Sequence, residues 1–406
     1  MKRLILKLIS FFSSRSFWKY FVLFLIYVLA FAGLMCLLTT STIDTVLGTV
    51  IGLITSGAFL YFAKLCFSYL EDLAKVSGNT KELAKIYTNE NYLKTVTLNN
   101  TKCTVIYNAV LMNNDFKFEV KDAPNKHYEL PEFAGDNLIT LLDAHSSSTK
   151  LNCDTVRLDD VKQKDGKYVF YLSRSNFYNH LVTNRAIDFE ITKGVTIRSM
   201  YEYGPEIKPL KDSSLSNHIG INALVFLNDG TMLIPRRKND STISKNMVTS
   251  SIAVRLNPPK DKKKKITKDY LFKHSIISNL TARLKIAEED AQNLSVKIDF
   301  LGLGQNIYEG GKPQMYFAVY IENLNKEEYI QLKAKVKKQE GKIDTDKCIY
   351  LANFNSIKFA HGEKIHFSYF NEKKKKTSSC TVGYEKSFIC NIWHYLEKEK
   401  QNKNQQ

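Results

Sequence analysis

The stretch Ser216–Arg237, "SNHIGINALVFLNDGTMLIPRR", decides how this chain is read. Gly220–Phe226 is an apolar run short enough for a strand. Asn228-Asp229-Gly230 is a type I′ hairpin signal, because these residues tolerate the positive φ that such a turn demands. Thr231–Arg237 is then the return strand, ending on Arg236 and Arg237. Working outward, "NMVTSSIAVRL" (246–256) reads as a small-residue strand, followed by a lysine-rich loop. "ISNLTARLKIAEEDAQNL" (277–294) reads as one amphipathic helix, and "IDFLGLGQNIYEGGKPQMYFAVYIE" (298–322) as two strands around a glycine-rich turn.

Composition narrows the function classes. At 406 residues the chain suits two or three domains, and 44% hydrophobic residues with 12% aromatics exclude a disordered protein. A net charge of +17 favours anionic partners: phosphates, nucleotides or an anionic lipid surface. The seven cysteines contain no CxxC pair and the eight histidines no HExxH, so neither a disulfide framework nor a structural metal is expected. The odd cysteine count fits a reducing compartment.

The N-terminus carries two apolar runs, Trp18–Leu38 and Val46–Phe67, joined by "TTSTIDT". Each is about 20 residues, enough to cross the hydrocarbon core as a helix. A cleaved signal peptide would be shorter and would not be followed at once by a second span. Lys2, Arg3, Lys7, Arg15 and Lys19 precede the first run, and Lys64, Lys75, Lys81 and Lys85 close and follow the second. The positive-inside rule therefore places both termini in the cytoplasm. Gly48, Gly52 and Ser56 recur every four residues, a stripe that lets helices approach closely, either within the hairpin or between protomers.

Beyond the hairpin, residues 68–87 form a helix-compatible connector broken at Gly78. "KTVTLNN", "KCTVIYNAV" and "FKFEV" carry strand alternation from Lys94 onward, whereas 120–165 is polar and loop-rich. The lysine runs 262–265 and 373–376 read as solvated loops, with a contact to anionic lipid or nucleic acid as the alternative. The C-terminal "SFICNIWHYLEKEKQNKNQQ" is a final amphipathic helix that frays into a polar tail.

Strand, "DG" turn, strand ending in Arg, small-residue strand, acidic helix and paired strands is an order that resembles a Nudix domain. The runs "TNRAIDF" (183–189) and "RSMYEYGPEIKPLKDSSLSNHIGINALVFLNDGTMLIPRR" (198–237) resemble more closely the Nudix-like domain found with CD-NTases. In effectors of bacterial CBASS anti-phage systems, that domain is fused behind a two-helix membrane segment. The resemblance covers roughly residues 165 to 325, with "SNHIGINALVF" and "DGTMLIPRR" as its carrying motifs. It implies an α+β fold: a transmembrane hairpin followed by a cytoplasmic Nudix-like α/β/α sandwich on a mixed sheet. The corresponding divisions are a basic flank (1–17), the hairpin (18–70), a helical connector (71–93), a β-rich subdomain (94–165) and the Nudix-like nucleotide-sensing domain (166–400). The implied function is to bind a cyclic oligonucleotide, oligomerise the hairpin, disrupt the bacterial inner membrane and kill the infected cell. Duplex nucleic acid is not an expected partner.

The Nudix box, GX5EX7REUXEEXGU with U a bulky apolar residue, places carboxylates on one helical face to hold Mg²⁺ against a diphosphate. Setting Glu288 and Glu289 on its acidic pair puts Leu284 and Lys285 at its Arg-Glu, Ile276 at its first Glu, and Tyr270 and Ala291 at its glycines. Lys285 would repel a metal there. Glu288 and Glu289 remain weak metal candidates, and no cofactor is expected unless Mg²⁺-dependent hydrolysis survives. The competing readings are a membrane-anchored nucleoside diphosphate hydrolase and a scaffold whose basic face holds anionic lipid. For an anionic ligand with stackable bases, the candidate contacts are Arg236, Arg237, Lys245 and Arg255 for phosphates and Tyr308 and Tyr316 for bases. Asn217 and His218, in the family-like "SNHIG", are candidates for a base contact or a structural turn.

Overall fold

The computed structural model describes residues 79–405 apart from 113–116, 144, 146–151, 193, 239–243, 262 and 337–345. The expected basic flank 1–17 and the hairpin 18–70, with Gly48, Gly52 and Ser56, lie outside the described residues. Among the described residues, no helix is long and apolar enough to cross a membrane.

The chain begins with helix α1 (Thr80–Ile86) and strands β1 (Leu93–Leu98), β2 (Thr101–Ile106), β3 (Asn108–Met112) and β4 (Lys117–His127). Short helices α2 (Glu132–Asp136) and α3 (Leu138–Asp143) precede the β5 (Asp154–Lys164) and β6 (Lys167–Asn176) hairpin, followed by α4 (Phe177–His180) and α5 (Ile197–Tyr201). Then come β7 (Gly220–Leu227), β8 (Thr231–Arg237), β9 (Ile252–Arg255), α6 (Ser275–Leu284) and α7 (Glu288–Gln292). β10 (Val296–Asn306), β11 (Lys312–Ile321) and α8 (Lys326–Lys335) follow. The last elements are β12 (Asp346–Asn353), β13 (Lys358–Ala360), β14 (Lys364–Asn371), β15 (Lys376–Gly383) and α9 (Lys386–Gln405).

The fold is α+β with mixed sheets. The large sheet runs β13-β14-β12-β8-β7-β11-β10-β3, with β15 added on β14 and β9 on β7. Within it β7 and β11 are parallel, whereas β10 and β11 form an antiparallel pair around the glycine-rich turn. All eight residues of β7 are buried because both faces of the sheet are covered. Ile221, Ala223, Val225 and Leu227 share one core cluster with Ile276, Leu280 and Leu284 of α6. Leu224 and Phe226 share another with Phe388, Ile389 and Ile392 of α9. A three-stranded sheet, β4-β6-β5, adds Val156, Leu158, Phe170 and Leu172 to the α6 side.

Three local expectations change. Of Asn228, Asp229 and Gly230 only Gly230 has positive φ, at 77°, so the β7–β8 turn is not type I′. Gly230 N donates to the Leu227 carbonyl, and the Asp229 carboxylate accepts from Thr231 N, which starts the return strand. Second, 277–294 is not one helix. Lys285 adopts the left-handed conformation at φ 57°, which ends α6 and lets Ile286 turn into the core before α7 begins. Third, the division at 165/166 falls inside the tight turn of the β5–β6 hairpin, where Asp165 and Gly166 both have positive φ. The segment 154–164, read as loop, is a strand with a polar outer face, and β3 pairs with β10 of the large sheet.

Candidate functional site

Three of the expected ligand residues, Asn217, His218 and Arg255, are brought to one place, the start of β7. Arg255 is in register with Gly220, and His218 bridges to Arg157 of β5. The His218 ring lies 3.8 Å, centroid to centroid, from that of His180 at the end of α4. Both rings are buried, and neither His218 Nδ1 nor Asn217 Nδ2 has a hydrogen-bond partner. Burial, then the nearby Lys312 and Arg185 charges, holds the His180 pKa far below its ordinary value. Burial, then His180 and Lys312, does the same to His218. Both imidazoles are therefore neutral at physiological pH.

The acid of this centre is Glu309, in the 3₁₀ turn Ile307–Glu309 between β10 and β11. Its carboxylate accepts from Arg185 Nη1 at 2.7 Å and pairs with Lys312 Nζ at 3.3 Å. Burial alone would raise its pKa, but Lys312 and Arg185 outweigh burial and bring it to about 2. Asn184 Nδ2 donates to Asn217 Oδ1 at 3.0 Å and to the Glu309 carbonyl at 2.9 Å, tying the turn to the segment before β7. Arg255 sits over the Phe177 ring at 5.1 Å, and its Nε has no partner. Sequence reading missed His180, Arg185, Glu309 and Lys312. His180 and Arg185 lie on one helical stretch and Glu309 and Lys312 flank one turn, with Glu309 124 residues beyond Arg185, so no local spacing joins the two pairs.

The other expected contacts lie elsewhere. Arg236 donates from Nε to the Asn246 carbonyl at 3.2 Å, and Arg237 from Nη2 to the Ala253 carbonyl at 2.9 Å, so both fasten backbone around β8 and β9. Lys245 is half-buried in the loop between those strands. Tyr308 is buried, with its hydroxyl 2.6 Å from Thr80 Oγ1 of α1 and accepting from Ile106 N at 3.2 Å. Tyr316 is fully buried and stacks on His394 of α9 at 4.8 Å. Neither tyrosine has a face open to a base, which corrects that expectation; strand aromatics here serve the two-sided core. Glu288 and Glu289 stand exposed in the first turn of α7. Among the described residues, no group of three His, Cys, Asp or Glu is placed to hold a metal.

The cavity of interest is a groove of about 510 Å³ where the α6 entry crosses β10 and β11, and none of the eight expected contacts lines it. Its apolar wall is Phe272, Val296, Ile298, Phe300 and Phe317, and its rim carries Lys268, Asp269 and Lys273. Phe272 comes from the π-helical turn Tyr270–His274 that leads into α6. Its ring lies 4.7 Å from Phe118 and 5.1 Å from Phe300, the latter edge-on, in a phenylalanine cluster with Phe170 and Phe317. Lys268 Nζ sits 5.8 Å from the Phe118 ring. The lysine-rich loop read from the sequence ends at this rim, with Lys263, Lys264 and Lys265 exposed just before it. Phe300 and Phe317 are buried beneath the groove, so half-buried Phe272 is the ring with surface for a flat base, beside rim lysines that attract an anionic phosphate.

No family model matches the sequence, and no curated protein matches it.

Proposed function

We propose that the described domain is a Nudix-like nucleotide sensor of the kind found in CBASS anti-phage effectors. In this reading it binds a cyclic oligonucleotide in the groove without turning it over. Binding promotes self-association of the hairpin at 18–70 in the bacterial inner membrane, disrupting it. The observation that carries the reading is the phenylalanine-walled, lysine-rimmed groove at the entry to α6. Base–aromatic stacking is worth about 1–3 kcal/mol per base, and lysines add phosphate attraction that weakens with salt. The Nudix-like description is supported by the order β7, β8, β9, α6, β10, β11 and by helices α6 and α9 on opposite faces of a mixed sheet. Binding without turnover is supported by Glu288 and Glu289, which a left-handed Lys285 carries onto an exposed helix of their own. A ligand that prefers the assembled state shifts the population by RT ln(1 + [L]/Kd), about 2.7 kcal/mol at a hundredfold excess over Kd.

The test uses the full chain in two settings. Membrane potential is followed in cells expressing it with a panel of cyclic oligonucleotides, and binding to the detergent-purified protein is measured by calorimetry. One cyclic oligonucleotide should bind and depolarise the membrane. Lys268→Glu with Lys273→Glu should weaken that binding about tenfold or more while shifting stability by under about 0.5 kcal/mol. Depolarisation by no ligand, or Mg²⁺-dependent consumption of nucleoside diphosphate derivatives, would sink the sensor reading.

A further inference from the structure

We infer that the closed centre at the start of β7 is a built site for a dianionic phosphoryl group, separate from the groove and independent of its function. Charge is the first argument. Arg185 and Lys312, with side chains 12% and 10% exposed, share the single carboxylate of Glu309. Arg255, half-buried over Phe177, adds a third cation to the groups acting on His218. The charged groups that act most strongly on the two histidines are the cations Lys312, Arg185 and Arg255 and the carboxylate of Glu309. Three cations against one carboxylate leave an excess of two positive charges, part of it on nearly sealed side chains where an unpaired ion is strongly unfavourable. One phosphate dianion would balance them.

Hydrogen bonding is the second argument. Buried polar groups in folded proteins nearly always have partners. Here Asn217 Nδ2, Arg255 Nε and His218 Nδ1 have none. A tetrahedral oxyanion accepts several such bonds at once, and those from charged donors are the strong ones. The nearby Arg157 and Arg198 are already committed to Asp159 and Asp188 and leave the count unchanged.

The site also has a reason to matter. The turn that carries Glu309 carries Tyr308, whose hydroxyl meets Thr80 of α1, and its carbonyls at Ile307 and Tyr308 accept from Arg198. Arg198 Nη1 also donates to Tyr87, just after α1, at 2.9 Å. An anion held by Lys312 and Arg185 would steady this turn and with it the seat of α1.

The experiment is thermal unfolding of the detergent-purified full chain with inorganic phosphate, then with pyrophosphate and adenosine 5′-monophosphate. Phosphate should raise Tm saturably by several degrees. Arg255→Met and His218→Asn should weaken that response about tenfold in apparent affinity, while Arg255→Lys keeps most of it. A matching response to the monophosphate assigns the site to a nucleotide's terminal phosphate; a response to phosphate alone assigns it to the free anion, and either supports the inference. No saturable shift in the wild type, or an equal shift in Arg255→Met, overturns it. Displacement of phosphate by a groove-binding cyclic oligonucleotide would overturn the separation of the two sites, leaving the sensor reading intact.

Discussion

The groove beside α6 and the closed centre at the start of β7 both gather cations, yet they differ in what surrounds the charge. At the groove, Lys268 and Lys273 stand at a rim open to solvent, and the apolar wall beneath them is already packed by its own phenylalanines. Water satisfies those lysines whether or not a ligand is present. In the centre, Arg185 and Lys312 are almost sealed, and burial holds the histidines beside them in the neutral form. The same residue types that mean attraction at a surface mean a demand for compensation in an interior.

The sharpest way to break this comparison is Glu309→Gln. It leaves Arg185 and Lys312 buried without their carboxylate, and a loss of about 3–5 kcal/mol is expected in urea unfolding. Added phosphate should recover part of it if the centre is an anion site. A change under about 1 kcal/mol would mean that water reaches these cations as freely as it reaches the groove lysines.

A smaller effect comes from Glu202, whose carboxyl accepts from Ser213 Oγ at 2.7 Å close to the Arg198 side of the centre. Burial pushes its pKa up to about 7, against 4.5 in the ordinary state. The folded state therefore holds this proton between about pH 4.5 and 7 while the unfolded state releases it. Its contribution is present below pH 4.5 and is lost as pH rises through 7, a penalty of up to about 3 kcal/mol at pH 8. Glu202→Gln should remove that slope and raise stability at pH 8 by about 1–3 kcal/mol. The buried histidines act in the opposite sense: with lowered folded pKa values they cost stability only below about pH 6.5, so the wild-type-minus-variant difference isolates Glu202. A flat difference across pH 5 to 8 would contradict its burial.

The smallest effect is expected for Glu288→Gln and Glu289→Gln. Exposed in the first turn of α7, each should change stability by under about 0.5 kcal/mol and leave the proposed nucleotide binding unaltered. Loss of a metal-dependent turnover in either variant would restore α7 to a catalytic role.

Much of the architecture was legible because β7, β8, β10 and β11 advertise themselves. Ile221–Leu227 and Met315–Ile321 are apolar runs closed by turn residues, and two-sided burial is the reason that no alternation interrupts them. The break at Lys285 was not legible, since nothing in "LKIAEED" forbids continuing the helix; the pull of Ile286 into the core ends it. The strand 154–164 was hidden for the converse reason. Its outer half faces solvent, and its polar residues imitate a loop. Of the candidate contacts, Asn217, His218 and Arg255 lie together because "SNHIG" leads into β7 and Arg255 ends β9 in register with Gly220. Tyr308 and Tyr316 misled because an aromatic in a strand looks the same from sequence whether it lines a cleft or fills a core.

By itself, the sequence determined the strands β7, β8, β10 and β11 with the turns between them, and the cationic balance, since each is written in neighbouring residues. Only the tertiary structure decided which charges are solvated and which are sealed. Arg255, Glu309 and Lys312 meet because β7 runs parallel to β11 and pairs at its start with β9, and the helical stretch after β6 adds His180 and Arg185; their cost or use depends on water that the fold excludes. Phe272, Phe300 and Phe317 likewise become one wall only when α6 crosses β10 and β11. Solvation is a property of the surroundings, and the surroundings are assembled from distant parts of the chain.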